Sequence, residues 1–249
     1  MNLQDKSILK EQIDGAPGYA LGLKFENQEL RRLKALIEIQ WLKRLNQIIP
    51  EQVPVFSESG IERYHELSHL LEHSKIWSKT ERILPVDAVL EIREMSLFKT
   101  LRQEFGNFSI SDEEAVGWEE IYWRLVRPNQ AGDVGPLHAD KWFWDLGHGV
   151  TQSGIKRIKI WIAIVCERGL NGLCVVPGSH LREWNYHGEQ RYGSLKPQID
   201  EREESLDVRL MPTNPGDAVI FNDGLLHKGI FNSGNKTRVS LEFTMLVGS

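Results

Sequence analysis

Cysteine is scarce in this chain: two residues, Cys166 and Cys174, neither in a CxxC pair. Two cysteines cannot build the disulfide framework of a small secreted scaffold. A reduced, cytoplasmic setting is therefore the default expectation. Both thiols are read as small buried hydrophobes. Long apolar runs are also missing. The longest wholly apolar stretch, Ile160–Cys166, falls far short of the roughly 20 residues that a spanning helix needs. The opening segment MNLQDKSILKEQIDG has neither the apolar core nor the cleavage site of a signal peptide. Charge of one sign is lacking too. A net charge of −5 over 249 residues gives no global attraction to nucleic acid or to an anionic membrane. There is no internal repeat and no low-complexity segment.

What is present changes character midway. From Asn27 to Ile49, Leu30, Leu33, Leu36, Ile37, Trp41, Leu45 and Ile48 form one apolar stripe, stopped by Pro50 and Pro54. That spacing predicts a helix. Further helical runs are expected over about 61–75 and 96–105, the last ended by Gly106-Asn107. Beyond residue 118 the pattern is of short strands set off by turn residues: 120–127, 158–166, 172–176, 208–211, 218–221 and 238–246. Helices first and many short strands later predict an α+β chain with a mostly β core, a sandwich or barrel. One domain spanning 1–249 is expected, with a mainly helical part over 1–118 and the β core over 119–249.

The sharpest chemical signal is Leu137-His138-Ala139-Asp140. On a strand, positions i and i+2 point to one face, so His138 and Asp140 can aim at one metal. A histidine and a carboxylate are two-thirds of the 2-His-1-carboxylate set that holds Fe(II) on one side and leaves positions open. The natural third ligand is His227, in Leu225-Leu226-His227-Lys228-Gly229, six positions past Phe221 at the end of an apolar strand. Eleven positions past His227 comes Arg238, with Ser240 two further on and on the same strand face. A guanidinium can fork onto a carboxylate, and a neighbouring hydroxyl can add a third bond. This predicts a grip on the distal carboxylate of 2-oxoglutarate.

In that order, LHAD at 137–140, KIWIAIVCERGLNGLCVVPGSHL at 159–181, NPGDAVIFNDGLLHKG at 214–229 and TRVSLEF at 237–243 resemble the phytanoyl-CoA dioxygenase family. The resemblance covers about half of the chain. It implies a double-stranded β-helix (jelly roll) with N-terminal helices packed on it. It also implies Fe(II), 2-oxoglutarate as co-substrate and O₂. The family's ligands fall on His138, Asp140 and His227, its co-substrate arginine on Arg238, and a tryptophan beside the co-substrate on Trp161. Membership does not imply a CoA ester. Iron halogenases of the wider superfamily replace the carboxylate ligand by a small residue. Asp140 is present here, so hydroxylation or a related oxidation is favoured over halogenation.

Other residues can be weighed on the same terms. Tyr122 and Arg124 share one face of the strand EIYWRLVR. Tyr122 is expected at the co-substrate and Arg124 at the substrate. Trp142 and Trp144 follow the ligands at period 2 and are expected to wall the substrate pocket. His180, in the turn Pro177-Gly178-Ser179-His180, is read as structural. His65, His69 and His73, four apart on one expected helix, read as a polar helix face, and Lys156, Arg157 and Lys159 as a solvated edge. The expected partner is a small or mid-sized metabolite, for a monomer or a homodimer alike. Two other readings fit the same residues: a cupin-like protein holding zinc or manganese, and a non-catalytic ligand-binding protein.

Overall fold

The computed structural model describes residues 5–148, 153–191 and 194–248. Eleven strands occur among them: β1 Tyr19–Lys24, β2 Phe108–Ile110, β3 Tyr122–Val126, β4 Ile155–Val165, β5 Leu173–Val175, β6 Tyr186–Arg191, β7 Ser194–Ile199, β8 Arg209–Leu210, β9 Asp217–Asn222, β10 His227–Gly229 and β11 Arg238–Gly248. The larger sheet runs β1-β9-β4-β11-β2, with β3 also paired to β11. The smaller runs β10-β5-β8, and β6 and β7 form a separate hairpin. All these pairings are antiparallel. Two antiparallel sheets with helices packed on one of them make the expected jelly roll.

Alternation along the strands explains why both faces of the larger sheet are buried. On β4, Ile158, Ile160, Ile162 and Ile164 face the helices, in one core with Trp41, Phe98 and Leu101. Trp161 and Ala163 face the other way, in a second core with Leu173, Val175 and Phe221. On β11, Val239, Leu241, Phe243 and Met245 join the helical core. Their alternates Arg238, Ser240, Glu242 and Thr244 are buried and polar. A half-polar inner face is costly unless its groups are paired or serve a ligand.

The helix Asn27–Ile48 buries Leu33, Leu36, Ile37, Trp41 and Leu45, the expected stripe. Ser96–Phe105 also forms where predicted. Its first backbone N–H is capped from outside by Glu29, whose Oε1 accepts from Ser96 N at 2.7 Å. The predicted helix over 61–75 is instead broken into short turns, Ile61–Arg63, Tyr64–Leu67, Ser68–Leu70 and His73–Ile76. Ser68 Oγ donates to His65 O at 3.0 Å and so competes with the helical hydrogen bond. The histidines are consequently not a ladder on one helix. His65 bonds Thr237 Oγ1, and His73 bonds Tyr64. Strands β1, β2 and β10 and the β6–β7 hairpin had no counterpart in the sequence pattern. Among the described residues no helix is long and apolar enough to cross a membrane.

Candidate metal centre

His138 and His227 meet as an isolated antiparallel pair. Each backbone N–H donates to the other's carbonyl, at 3.1 and 2.8 Å. A directly opposed pair presents its side chains on one face, and the imidazole centroids lie 4.6 Å apart. Nδ1 of His138 lies 2.8 Å from Pro136 O, and Nδ1 of His227 lies 2.9 Å from Leu225 O. A carbonyl only accepts, so both Nδ1 atoms carry a proton and both Nε2 atoms are left to face the site. Metal-ligating histidines are commonly held in this way, the far ring N–H donating to a backbone carbonyl.

Asp140 arrives differently from the expected strand. It has helical backbone angles and sits at the N-cap of the short helix Lys141–Asp145. Lys141 N donates to Asp223 O at 2.9 Å and anchors that turn. Asp140 Oδ1 lies 3.7 Å from His138 Nε2, and Oδ2 lies 3.7 Å from His227 Nε2. One ligand atom from each of the three residues falls within 4.8 Å of the others. Asp140 Oδ2 is buried and accepts no hydrogen bond among the described residues. Two imidazole Nε2 atoms and a buried carboxylate oxygen that accepts no hydrogen bond among the described residues fit a divalent cation.

The electrostatics agree. Burial would raise the Asp140 carboxyl, but Lys159, His227 and His138 together hold it well below the usual carboxylate range. Burial pushes the His227 imidazole down to about 4, against the pull of Asp140. An ionised carboxylate beside a neutral imidazole is the protonation state a metal needs.

The same cavity, about 850 Å³, is lined by the three candidate ligands and by Tyr122, Arg124, Trp161 and Arg238. Arg238 is 2% exposed. Its Nη1 donates to Gly172 O at 2.7 Å, while its buried Nε has no partner among the described residues. The guanidinium lies 5.9 Å from the Trp161 ring. Gly229 makes room for it: a Cβ there would stand 3.1 Å from Nη1. Ser240 Oγ donates to Glu242 Oε1 at 3.1 Å.

Tyr122 and Arg124 do face the cavity, while Trp123 between them is fully buried in the helical core. The two tryptophans after Asp140 part company, because that segment is helical and period 2 does not apply. Trp144 lines the cavity. Trp142 stacks on Tyr186 at 4.4 Å, in a separate core with Leu137 and Leu226. His180 is remote from the ligand set, its Nε2 3.2 Å from Asp14 O.

Lys159 and Glu242 went unrecognised in the sequence. Lys159 is buried, not a solvated edge. It stands 3.4 Å from Asp140 Oδ2 and donates to the Tyr122 hydroxyl at 3.1 Å. Tyr122 in turn donates to Glu242 Oε2 at 3.1 Å. Burial, with Glu242 adding, pushes the Tyr122 hydroxyl up to about 12 despite Lys159. Alternation puts Lys159 on the face of Trp161, two later on β4, and Glu242 on the face of Ser240, two earlier on β11, but which face lines the cavity is set by the strand pairing.

Comparison with known proteins adds the following. The family profile described as phytanoyl-CoA dioxygenase (PhyH) matches residues 51–240. No curated protein matches the chain. Among solved structures, AviO1 from Streptomyces viridochromogenes Tue57 superposes with a TM-score of 0.55 at 15% identity, covering 98% of this chain and 96% of that one. EvdO2 from Micromonospora carbonacea var. aurantiaca, complexed with 2-oxoglutarate, gives 0.57 at 13% identity, covering 100% and 91%. The epimerase SnoN in complex with Fe³⁺, α-ketoglutarate and nogalamycin RO gives 0.54 at 13%, covering 99% and 85%. At these identities the likeness is one of fold.

Proposed function

This chain belongs to the phytanoyl-CoA dioxygenase family, and on that premise we propose that it is an Fe(II)- and 2-oxoglutarate-dependent oxygenase that hydroxylates a small or mid-sized metabolite. In this reading His138, Asp140 and His227 hold the iron, and Arg238 grips the distal carboxylate of 2-oxoglutarate; Ser240, expected beside it, is fully buried with its hydroxyl donated to Glu242 and would join only on releasing that bond. Tyr122 and Trp161 flank the co-substrate, and Arg124 and Trp144 face the substrate. The whole chain works as one domain. The observation that carries the reading is one cavity with the three metal donors and Arg238 on its walls. A cupin-like zinc or manganese protein would have no use for a buried guanidinium whose Nε lacks a partner.

When bound, iron(II) with 2-oxoglutarate and O₂ supplies the oxidation of an unactivated C–H bond, with succinate and CO₂ as co-products. The chain's own residues set the conditions. The two Nδ1–H donors fix both imidazoles so that Nε2 points inward. Three protein ligands on one side leave the other coordination positions to small molecules. Arg238, buried and always charged, offers its free Nε–H to a carboxylate. Trp161 and Phe221 keep the inner wall apolar and exclude water. Trp144 and Phe143 line the side of the cavity next to the ligand turn.

Hydroxylation is proposed over halogenation because Asp140 occupies the carboxylate position. The test is succinate formation from 2-oxoglutarate by the iron-loaded protein across a metabolite panel, with product mass gain of one oxygen. Product without oxygen insertion would replace hydroxylation by another oxidation and leave the co-substrate assignment standing.

A further inference from the structure

A second cavity, about 420 Å³, adjoins the metal cavity and shares Ser74, Trp77, Arg82 and Arg124 with it. Its charges do not balance. Arg127 is spent: it makes a two-pronged pair with Asp133, at 2.9 and 2.8 Å. His73 is neutral, its imidazole pushed down to about 4, by burial above all. That leaves Arg82 and Arg124.

Arg82 forms no ion pair among the described residues. Its Nε donates to Trp77 O at 3.0 Å and its Nη1 to Trp123 O at 2.6 Å, which leaves Nη2 without a partner. The Arg124 guanidinium makes no hydrogen bond among the described residues. Its nearest carboxylate is Glu242, at 3.9 Å, and that group already accepts from Tyr122 and Ser240. The Arg124 side chain is still 36% exposed, toward the open space of the two cavities. The two guanidiniums also repel: burial first and Arg124 second bring Arg82 down to about 10. Against burial, Glu242, Tyr122 and Asp140 raise the Arg124 guanidinium, so the two like charges have one carboxylate at ion-pair distance between them, an arrangement that is expensive inside a protein. Guanidinium forks are matched to planar or tetrahedral oxyanions.

We propose that this second cavity binds an oxyanion of the primary substrate, a carboxylate or a phosphate, between Arg82 and Arg124, with the reacting end of the substrate extending past Arg124 into the metal cavity. Trp77, whose indole N–H is occupied by Tyr64 at 2.9 Å, supplies the apolar wall next to the charge. The proposal deepens the oxygenase reading and rests on it for the reacting end. It keeps this anion distinct from 2-oxoglutarate, which is assigned to Arg238.

The test is anaerobic calorimetric titration of the protein loaded with Fe(II) and 2-oxoglutarate, using inorganic phosphate in one arm and acetate in the other. Saturable one-to-one binding of either is expected, and the tighter arm assigns the phosphate or the carboxylate. Arg124→Gln should weaken that binding by about tenfold or more. Its affinity for 2-oxoglutarate should stay at the wild-type value. Arg124→Lys should fall between the two. Absence of saturable binding in wild type overturns the proposal. So does binding that Arg124→Gln leaves untouched, which would be an adventitious ion only. Equal weakening of 2-oxoglutarate in Arg124→Gln also overturns it and moves Arg124 to the co-substrate. If the protein takes up no iron or 2-oxoglutarate, the oxygenase reading fails instead, and the same titration of the metal-free protein still tests the anion site.

Discussion

Lys159 Nζ stands 3.4 Å from Asp140 Oδ2, a buried cation touching the carboxylate of the candidate metal site. Without metal, Lys159 is the strongest influence holding Asp140 ionised, against burial. Lys159 itself is held well above its ordinary value by Asp140, Tyr122, Glu113 and Glu242, against its own burial. Removing one partner of a buried pair strands the other, a loss of about 3–5 kcal/mol. Lys159→Met should therefore lower the Tm of the metal-free protein. A divalent cation replaces the lost charge, so the rise in Tm on metal addition should be larger in the variant than in wild type. An equal rise would mean that Lys159 and the metal do not share Asp140.

Arg238→Ala should weaken 2-oxoglutarate binding while leaving iron binding near normal. Loss of a buried charge-assisted pair costs on the order of 2–5 kcal/mol. Calorimetry of 2-oxoglutarate binding to the iron-loaded variant checks this. Unchanged affinity would remove Arg238 from the site and favour the cupin-like reading.

Gly229→Ala tests the same guanidinium from the opposite side. The new Cβ would lie 3.1 Å from Arg238 Nη1, closer than ordinary contact, so the guanidinium must shift. The apparent KM for 2-oxoglutarate should rise by a smaller factor than in Arg238→Ala, with iron stoichiometry intact. An unchanged KM would show that Arg238 can move without cost to co-substrate binding.

His73 should give the stability a pH dependence of known sign. Its folded-state value is about 4, below the unfolded value of about 6.5. Between these the unfolded chain binds the extra proton, so stability is full above about 6.5 and falls as pH drops toward 4. The contribution is at most about 3 kcal/mol. In urea unfolding across that window, His73→Phe should flatten the dependence. A steeper dependence in the variant would contradict the assignment.

The assignment of Asp140 predicts no halide transfer. Wild type run with excess chloride or bromide should give no halogenated product by mass spectrometry, because the carboxylate fills the position and disfavours a second anion. Asp140→Gly opens that position, though the substrate radical must also lie nearer the halide for transfer. A halogenated product from wild type would refute Asp140 as a ligand.

Much of this was legible in the sequence, for physical reasons. The long helix Asn27–Ile48 and the strands β4, β9 and β11 carry strong apolar periodicity, and each formed where expected. His138, Asp140 and His227 could be grouped because each lies in a motif whose order is distinctive. What periodicity could not give was the turn at Asp140, where the short helix Lys141–Asp145 replaces a strand and sends Trp142 and Trp144 different ways. The 61–75 segment failed for a similar reason: Ser68 and His65 satisfy the backbone locally. Lys159 looked solvated because it sits among Lys156 and Arg157. Only the pairing of β4 between β9 and β11 shows that its alternating face is the cavity wall.

The most direct test of the central claim is anaerobic iron titration followed by 2-oxoglutarate, read by the visible charge-transfer absorption and then by succinate formed on admitting O₂. Wild type should bind one iron, develop the band and form succinate. His138→Ala and His227→Ala should retain neither iron nor turnover, because two remaining ligands hold a labile ferrous ion poorly. Near-normal succinate formation by both variants would contradict the assignment of the metal centre.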